Sequence, residues 1–574
     1  MASRIQQQCY RVLTKKHKLA ISKDALEYLY DIVQRAGLDG GEELNEALEY
    51  IASSYLQHEG GDYGRVVDRT RLQTVVENIF KKSNAHETAK QAFAQGATEN
   101  PDNPGHNVSE ASAYLQIING FDVPKYIYDW DRKTFMKPVP KGSKLNQPQP
   151  TSLFANAESK TSSMRDRFDL LRQRILRNDS FRPPPGASVM TAVQNGTGKR
   201  HRMDYFEITS IKNLTGRTGQ RFLLFGMLTQ MEEGRHYLED ADAYMELQFV
   251  KTMQQTVGLF TYNCFVLVEG IFTEEKKFQV HMIGLPPPEE RHKSLSAFAT
   301  SVDFFGSRKE TDDVTLIAQV EAALGDVAFI LLSDVWLDQP RVLAKLRQLF
   351  EGYSQTILPL AFVFMGNFSS KAYAYNTADA KSYRDGFNAL CDIITDYDNI
   401  AQQCHFLFVP GPNDPWAGNV LPRPPIPDIY TGRMRARVVN SHFTMNPCRI
   451  KYCTQEIVVF REDLLNKMRR NVIIPPDMNQ DIEIRRHLVR TIIDQAHLCP
   501  LPIHVRPVYW DLDHVLRIYP QPHALVLGDS CGNYAITYEG CHCVNPGSFA
   551  NNGFGFLVYY PATRHCQESK IPSS

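Results

Sequence analysis

The sequence predicts a multidomain α+β protein: a small helical bundle over residues 1–83, a five-stranded β-barrel over 190–290 and an α/β sandwich over 295–574. Three observations carry that expectation. Apolar residues in the first 83 positions recur at helical spacing. From Phe206 to Leu285 the period shifts to that of short strands. Beyond 295, short apolar runs alternate with helical patterns, and several of the runs end in loops rich in Gly, Asp, Asn and Pro.

Bulk composition bounds the function. At 574 residues the chain has room for about three or four domains. Hydrophobic residues make up 43% and charged residues 22%, the balance of a globular protein. A net charge of −1 and a pI near 7.0 argue against electrostatic capture of nucleic acid or anionic membrane by the whole protein, while leaving room for a local basic face. The first residues, Met1 to Gln8, have no apolar signal core, and no run approaches the roughly 18 apolar residues that span a bilayer. Eleven cysteines spread over so long a chain fit reduced thiols in cytosol or nucleus.

In chain order, Ile5 to Leu13 reads as a first helix. Ser22 can cap a second helix with Leu26, Leu29 and Val33 on its apolar face, Ile21 and Leu26 forming a hydrophobic staple and Gly37 a stop. A third carries Leu44, Leu48, Ile51 and Tyr55, and a fourth follows Asp68 with Leu72, Val75, Val76, Ile79 and Phe80. Residues 84–110 are polar and aperiodic, a flexible linker. A random coil of about 25 residues has an r.m.s. reach of roughly 25–30 Å. Residues 111–189 lead into the body: an aromatic stretch to about 136, a loose Pro- and Lys-rich segment at 137–162, then one helix marked by Met164, Phe168, Leu171 and Ile175 and ended by Asn178. The arginines at 165, 167, 172, 174 and 177 read as its solvated face. Phe222 to Met227, Tyr244 to Phe249, Cys264 to Gly270 and Lys277 to Ile283 are strand-like, and five strands in about 80 residues suit an OB-fold. Its aromatics are read as core rather than as a stacking platform for single-stranded DNA, because Glu246 and the acidic run Glu239 to Asp242 accompany them.

The chemistry-bearing loops are Asp334-Val335-Trp336, Gly366-Asn367, Gly411-Pro412-Asn413-Asp414, Gly528-Asp529-Ser530-Cys531 and Asn545-Pro546-Gly547-Ser548. The first four follow apolar runs, where an α/β sheet presents functional loops. The tract from Leu421 to Pro427 reads as a rigid extended loop, the alternative being a surface loop that merely lacks helix. Cys531, Cys541, His542 and Cys543 lack standard zinc spacing and are read as structural.

The loops resemble those of calcineurin-like metallophosphoesterases, which read D-x-H, G-D, G-N-H-D/E and G-H-x-H, the last followed by N-P-G-S. That family holds two metal ions roughly 3.5–4 Å apart to clamp an in-line displacement at phosphorus. Here Asp334 matches the first Asp, but Trp336 stands for the His and Asn367 for the bridging Asp. Pro412 and Asn413 replace the Asn and His, Asp414 remains, and Asp529 and Cys531 replace the last two His. The resemblance implies the fold without its metals, cofactors or catalytic residues. The alternative is an active metal-dependent phosphoesterase with rearranged ligands.

A second resemblance is more specific. An OB-fold followed by a degenerate phosphoesterase is the architecture of the B subunits of eukaryotic replicative DNA polymerases. Leu332 to Asp338, Gly366 to Ser370, Phe408 to Pro415, Leu421 to Pro425 and Thr444 to Leu464 all look like the B subunit of DNA polymerase epsilon. That family implies an N-terminal domain similar to the C-terminal helical domain of AAA+ proteins. It also implies a non-catalytic, nuclear role in chromosomal replication. The body would bind the zinc-bearing C-terminal region of the catalytic subunit, and residues 1–83 would dock on the replicative helicase through GINS. The small histone-fold subunits would be reached indirectly, and DNA mainly through the complex, with no membrane partner.

Overall fold

The computed structural model describes residues 105–138, 153–182, 205–298, 302–306, 314–416, 418–476 and 483–572, with scattered positions between 20 and 72. The chain divides into two compact units, Met1–Asp102 and Asn103–Ser574. In the first, Ala20–Ile21 pairs in parallel with Val66–Val67. Ser22 caps the turn behind it, its hydroxyl accepting Ala25 N at 3.3 Å. Leu29 and Leu72 are buried. The rest of the helical bundle expected over 1–83 lies outside the described residues, as do 84–104 of the expected linker.

The stretch read as linker to residue 110 ends in a helix, Gly105–Ser112. Val108 and Ala111, one turn apart, are its buried contacts, and its polar neighbours masked them in the sequence. The segment expected to be loose to 162 is helical from Ala157, because Asn156 caps Ala157–Arg177 by accepting Ser159 N at 2.9 Å. That helix leaves Arg165 and Arg172 exposed, as expected, and corrects the reading of its other three arginines. Arg167 Nε donates to Asp513 Oδ2 at 3.0 Å, Arg174 Nη1 to Ile493 O at 3.4 Å and Arg177 Nε to Glu289 Oε1 at 3.2 Å. Arg167 and Arg174 lie three residues beyond Met164 and Leu171, which widens the packed stripe to include them. Phe168 on the same face stacks on Phe225 of the barrel, ring centroids 5.0 Å apart.

The barrel closes through five strands: Arg221–Thr229, His236–Glu239, Tyr244–Gln255, Phe265–Phe272 and Phe278–Gly284. The closing pair, Phe278–Gly284 with Tyr244–Gln255, is parallel and the others antiparallel. Leu224, Leu238, Leu247, Val268 and Val280 fill the interior. The acidic run after Glu239 makes the turn: Asp240 Oδ1 accepts Asp242 N and Ala243 N at 2.9 and 2.8 Å.

Two six-stranded sheets form the sandwich. One runs Ser441–Phe443, His405–Val409, Ala361–Met365, Phe329–Ser333, Gly555–Tyr560 and His565–Lys570, the first four parallel. The other runs Tyr534–Tyr538, Cys541–Asn545, Ala524–Gly528, Gln455–Arg461, Cys448–Tyr452 and Leu115–Ile118. Period-two alternation divides the second sheet between two cores. Ile457, Val459 and Val526 face the first sheet. Val458, Phe460, Leu525 and Leu527 face the helix Ile484–Asp494. Cys541 and Cys543 share that second face, their sulfurs 3.8 Å apart, and His542 points the other way.

Candidate functional site

The chemistry-bearing loops meet at the C-terminal ends of Phe329–Ser333, Ala361–Met365, His405–Val409, Gln455–Arg461 and Ala524–Gly528. Asp334 follows the first strand with φ +55°, a left-handed conformation that a non-glycine residue adopts at a cost of about 1–3 kcal/mol. Its Oδ1 accepts Asn367 N at 3.2 Å and Asn367 Nδ2 at 3.3 Å. Asn367 Oδ1 in turn accepts Asn413 N at 2.8 Å. Asp414 accepts Phe368 N at 2.8 Å, the Tyr383 hydroxyl at 3.0 Å and Gly411 N at 2.6 Å. Gly366 lets these loops approach: a Cβ there would stand 2.0 Å from Asp414 Oδ2.

Sequence reasoning missed the residue at the centre. Arg461 is the last residue of Gln455–Arg461 and fully buried. Its Nη2 donates to Asp334 Oδ1 at 2.6 Å, its Nη1 to Asp463 Oδ1 at 3.0 Å and to Gly528 O at 3.1 Å, and its Nε to Gly366 O. One guanidinium thus ties two loops of the first sheet to two of the second, using the planar fork that a lysine lacks. Burial would lower its pKa, but Asp334 and Asp463 outweigh that and hold it well above the ordinary value. The signal in the sequence was an arginine closing an apolar strand and followed by Glu462-Asp463.

Glu462 forms a second buried hub. Its carboxylate pairs with Arg423, Arg506 and Lys467. Burial opposes ionisation, yet those charges, Arg423 first, hold the carboxyl well below its usual range. Arg423 comes from the tract read as a rigid extended loop. It is not a surface loop: Leu421 and Arg423 are fully buried, and Arg423 N donates to Asn446 O at 2.8 Å. The Glu462 charge supplies the reason.

The remaining site positions lie around this centre. Trp336 packs partly buried against the first sheet's core. Pro412 and Asn413 are half-buried in the turn before Asp414. Asp529 accepts Leu465 N at 2.9 Å and Cys531 N at 3.1 Å. Asn545 Oδ1 accepts Asp529 N at 3.2 Å and Gly547 N at 3.0 Å, and its Nδ2 reaches Cys531 Sγ at 3.3 Å. Burial pushes Asp414 up to about 6 and raises Asp529 as well, each against its hydrogen-bond donors.

These residues do not fit a dinuclear metal centre. Asp334, Asp414 and Asp529 are committed to backbone or side-chain donors, and a guanidinium holds the middle. Among the described residues no group of three or more His, Cys, Asp or Glu is arranged to hold an ion.

Comparison with known proteins agrees with this architecture. The profile of the family of B subunits of DNA polymerases alpha and epsilon matches residues 329–535, and one described as DNA polymerase epsilon subunit 2-like, OB-fold domain, matches 157–287. DNA polymerase epsilon subunit 2 of Bos taurus is 38% identical over 561 residues, covering 97% of this chain and 97% of that one. The Homo sapiens protein is 38% identical and covers 92% and 94%. The B subunit of DNA polymerase epsilon from Arabidopsis thaliana is 37% identical and covers 83% and 86%. The solved structure of an archaeal phosphodiesterase covers 43% of this chain and all of its own at 8% identity, with a TM-score of 0.24, too low to weigh. Identity sustained along nearly the whole chain, over a barrel and a sandwich in this order, makes it a member of the family of accessory B subunits, also named subunit 2, of DNA polymerase epsilon.

Proposed function

We propose that this chain is non-catalytic and nuclear, scaffolding the catalytic subunit of DNA polymerase epsilon and linking it to the replicative helicase in chromosomal replication. The observation that carries the non-catalytic reading is Arg461. A two-metal phosphoesterase needs open ligands and an activated water. Here the one family carboxylate left on the first loop, Asp334, is bound by a buried guanidinium. The rearranged-ligand alternative would need that carboxylate free.

Family membership supports the catalytic subunit as partner, with its zinc-bearing C-terminal region as the expected ligand of the body. The barrel and sandwich lie in one compact unit, Asn103–Ser574, and Met1–Asp102 forms another. That division favours a body fixed to the polymerase and a separate N-terminal part, residues 1–83, for GINS. The histone-fold subunits would be reached indirectly and DNA mainly through the complex. Co-purification from nuclei tests the reading. The expected result is stoichiometric recovery with the catalytic subunit. Recovery of a free chain with metal-dependent hydrolase activity would overturn it.

A further inference from the structure

The second sheet ends in a strand that is paired on one side alone. Tyr534–Tyr538 bonds to Cys541–Asn545, and among the described residues no backbone meets its outer edge. Glu539 and Gly540 join the two strands, both left-handed at φ +49° and +80°. Such a turn makes the flanking residues, Tyr538 and Cys541, a hydrogen-bonded pair. The bonded positions are then Tyr538, Ile536 and Tyr534, and the N–H and C=O of Ala535 and Thr537 point outward. His542, opposite Thr537, obeys the same alternation: its N donates away from Thr537, to His523 O at 2.9 Å. Open edges are commonly guarded by charge, as His565–Lys570 is by Glu568 and Lys570. Tyr534–Tyr538 contains no charged residue.

A row of arginines borders this edge on the helix Ile484–Asp494. Arg485 Nη1 donates to Asn533 O at 3.1 Å, closing one end of the edge. Arg490 lies over the Tyr538 ring, 5.1 Å from its centroid. Arg486 is exposed and stands one turn before Arg490, on the same side of the helix. Like charges at that spacing repel. The nearby carboxylates do not relieve them. Glu483 pairs with Arg485 at 2.9 Å, Asp494 is buried and accepts the Tyr538 hydroxyl at 3.1 Å, and Glu539 sits in the turn. Among the described residues neither Arg486 nor Arg490 forms an ion pair.

We propose that Tyr534–Tyr538 accepts an acidic, extended segment of a partner protein as a further strand. Main-chain bonds to Ala535 and Thr537 hold the segment. Alternate residues of an added strand face the helix, so carboxylates two positions apart meet Arg486 and Arg490. Charge selects this occupant over the others. Edge pairing between two copies of this chain brings two arginine rows together. A phosphate backbone meets the arginines but carries no donor for the two outward carbonyls.

The test is fluorescence anisotropy of the full chain titrated against a labelled peptide of alternating Glu and Val. A peptide of alternating Lys and Val and a labelled oligothymidine run in parallel. Saturable binding of the acidic peptide is expected, weakened about tenfold or more when Arg486→Gln and Arg490→Gln are combined. Thr537→Pro should weaken it as much, because it removes an outward N–H and spares the ladder to Cys541–Asn545. Hydrogen exchange over residues 534–538 gives a second readout: the acidic peptide should slow the amides of Ala535 and Thr537. If Thr537→Pro does not fold, the arginine variant and the exchange decide. Absence of saturable binding, equal binding of the Lys-Val peptide, full affinity in the arginine variant, or unslowed exchange would each overturn the proposal. So would oligothymidine binding that needs the two arginines, or a dimer of this chain that Thr537→Pro dissociates.

Discussion

Arg461 Nη2 lies 2.6 Å from Asp334 Oδ1, and the arginine side chain has no exposure to solvent. The pair joins the two sheets of the sandwich at their strand ends. A charge so enclosed is tolerated because every arm of the guanidinium is hydrogen-bonded.

Arg461→Met should therefore destabilise the body by about 3–5 kcal/mol, the cost of leaving buried charges unpaired. Arg461→Lys should recover only part of the loss, because an ammonium cannot reach both carboxylates and both carbonyls. Urea unfolding measures both variants. A loss below about 1 kcal/mol for the methionine variant would place the pair among weak surface contacts.

Gly366→Ala tests the close approach of the loops. Its Cβ would stand 2.0 Å from Asp414 Oδ2 and 2.4 Å from Gly411 N, so backbone must move. The expected result is a loss of about 3 kcal/mol or failure to accumulate folded protein, beyond ordinary overpacking. A melting temperature equal to that of the parent chain would show that the loops are looser than described.

Acid should weaken the body through His514. Its Nε2 lies 3.1 Å from Val123 O, and burial, helped by Arg517 and Lys125, lowers its pKa from 6.5 to about 4. The folded value is depressed, so the stabilisation is present above pH 6.5 and is lost as pH falls towards 4. That difference is worth about 3 kcal/mol. His514→Gln should flatten the fall in stability over that range by a corresponding amount. An unchanged pH profile in the variant would assign the acid sensitivity elsewhere.

Much of this was legible in the sequence, and the parts that were not share a cause. The apolar runs, the Gly-Asp-Asn loops and the helix through Met164, Phe168, Leu171 and Ile175 are local patterns, and local patterns survive in one chain. The burial of Arg461, Arg423, Arg167 and Arg174 was not legible, because a charged residue is buried only when a distant partner meets it. Arg167 and Asp513 stand 346 positions apart. The strand His236–Glu239 escaped notice because four residues with a charged end are too short for alternation to register.

Removing residues 1–83 should leave assembly with the catalytic subunit intact and abolish association with the GINS-containing helicase. Affinity purification of full-length and truncated chains from replicating cells measures both contacts. Retained helicase association, or loss of the catalytic subunit, would reverse the assignment of the two units.

The most direct measurement of the central claim is hydrolysis of a nitrophenyl phosphodiester by the purified chain in manganese, run beside Asp334→Ala. The guanidinium-centred site predicts no turnover above buffer in either protein. Metal-dependent hydrolysis by the parent chain that disappears in Asp334→Ala would contradict it.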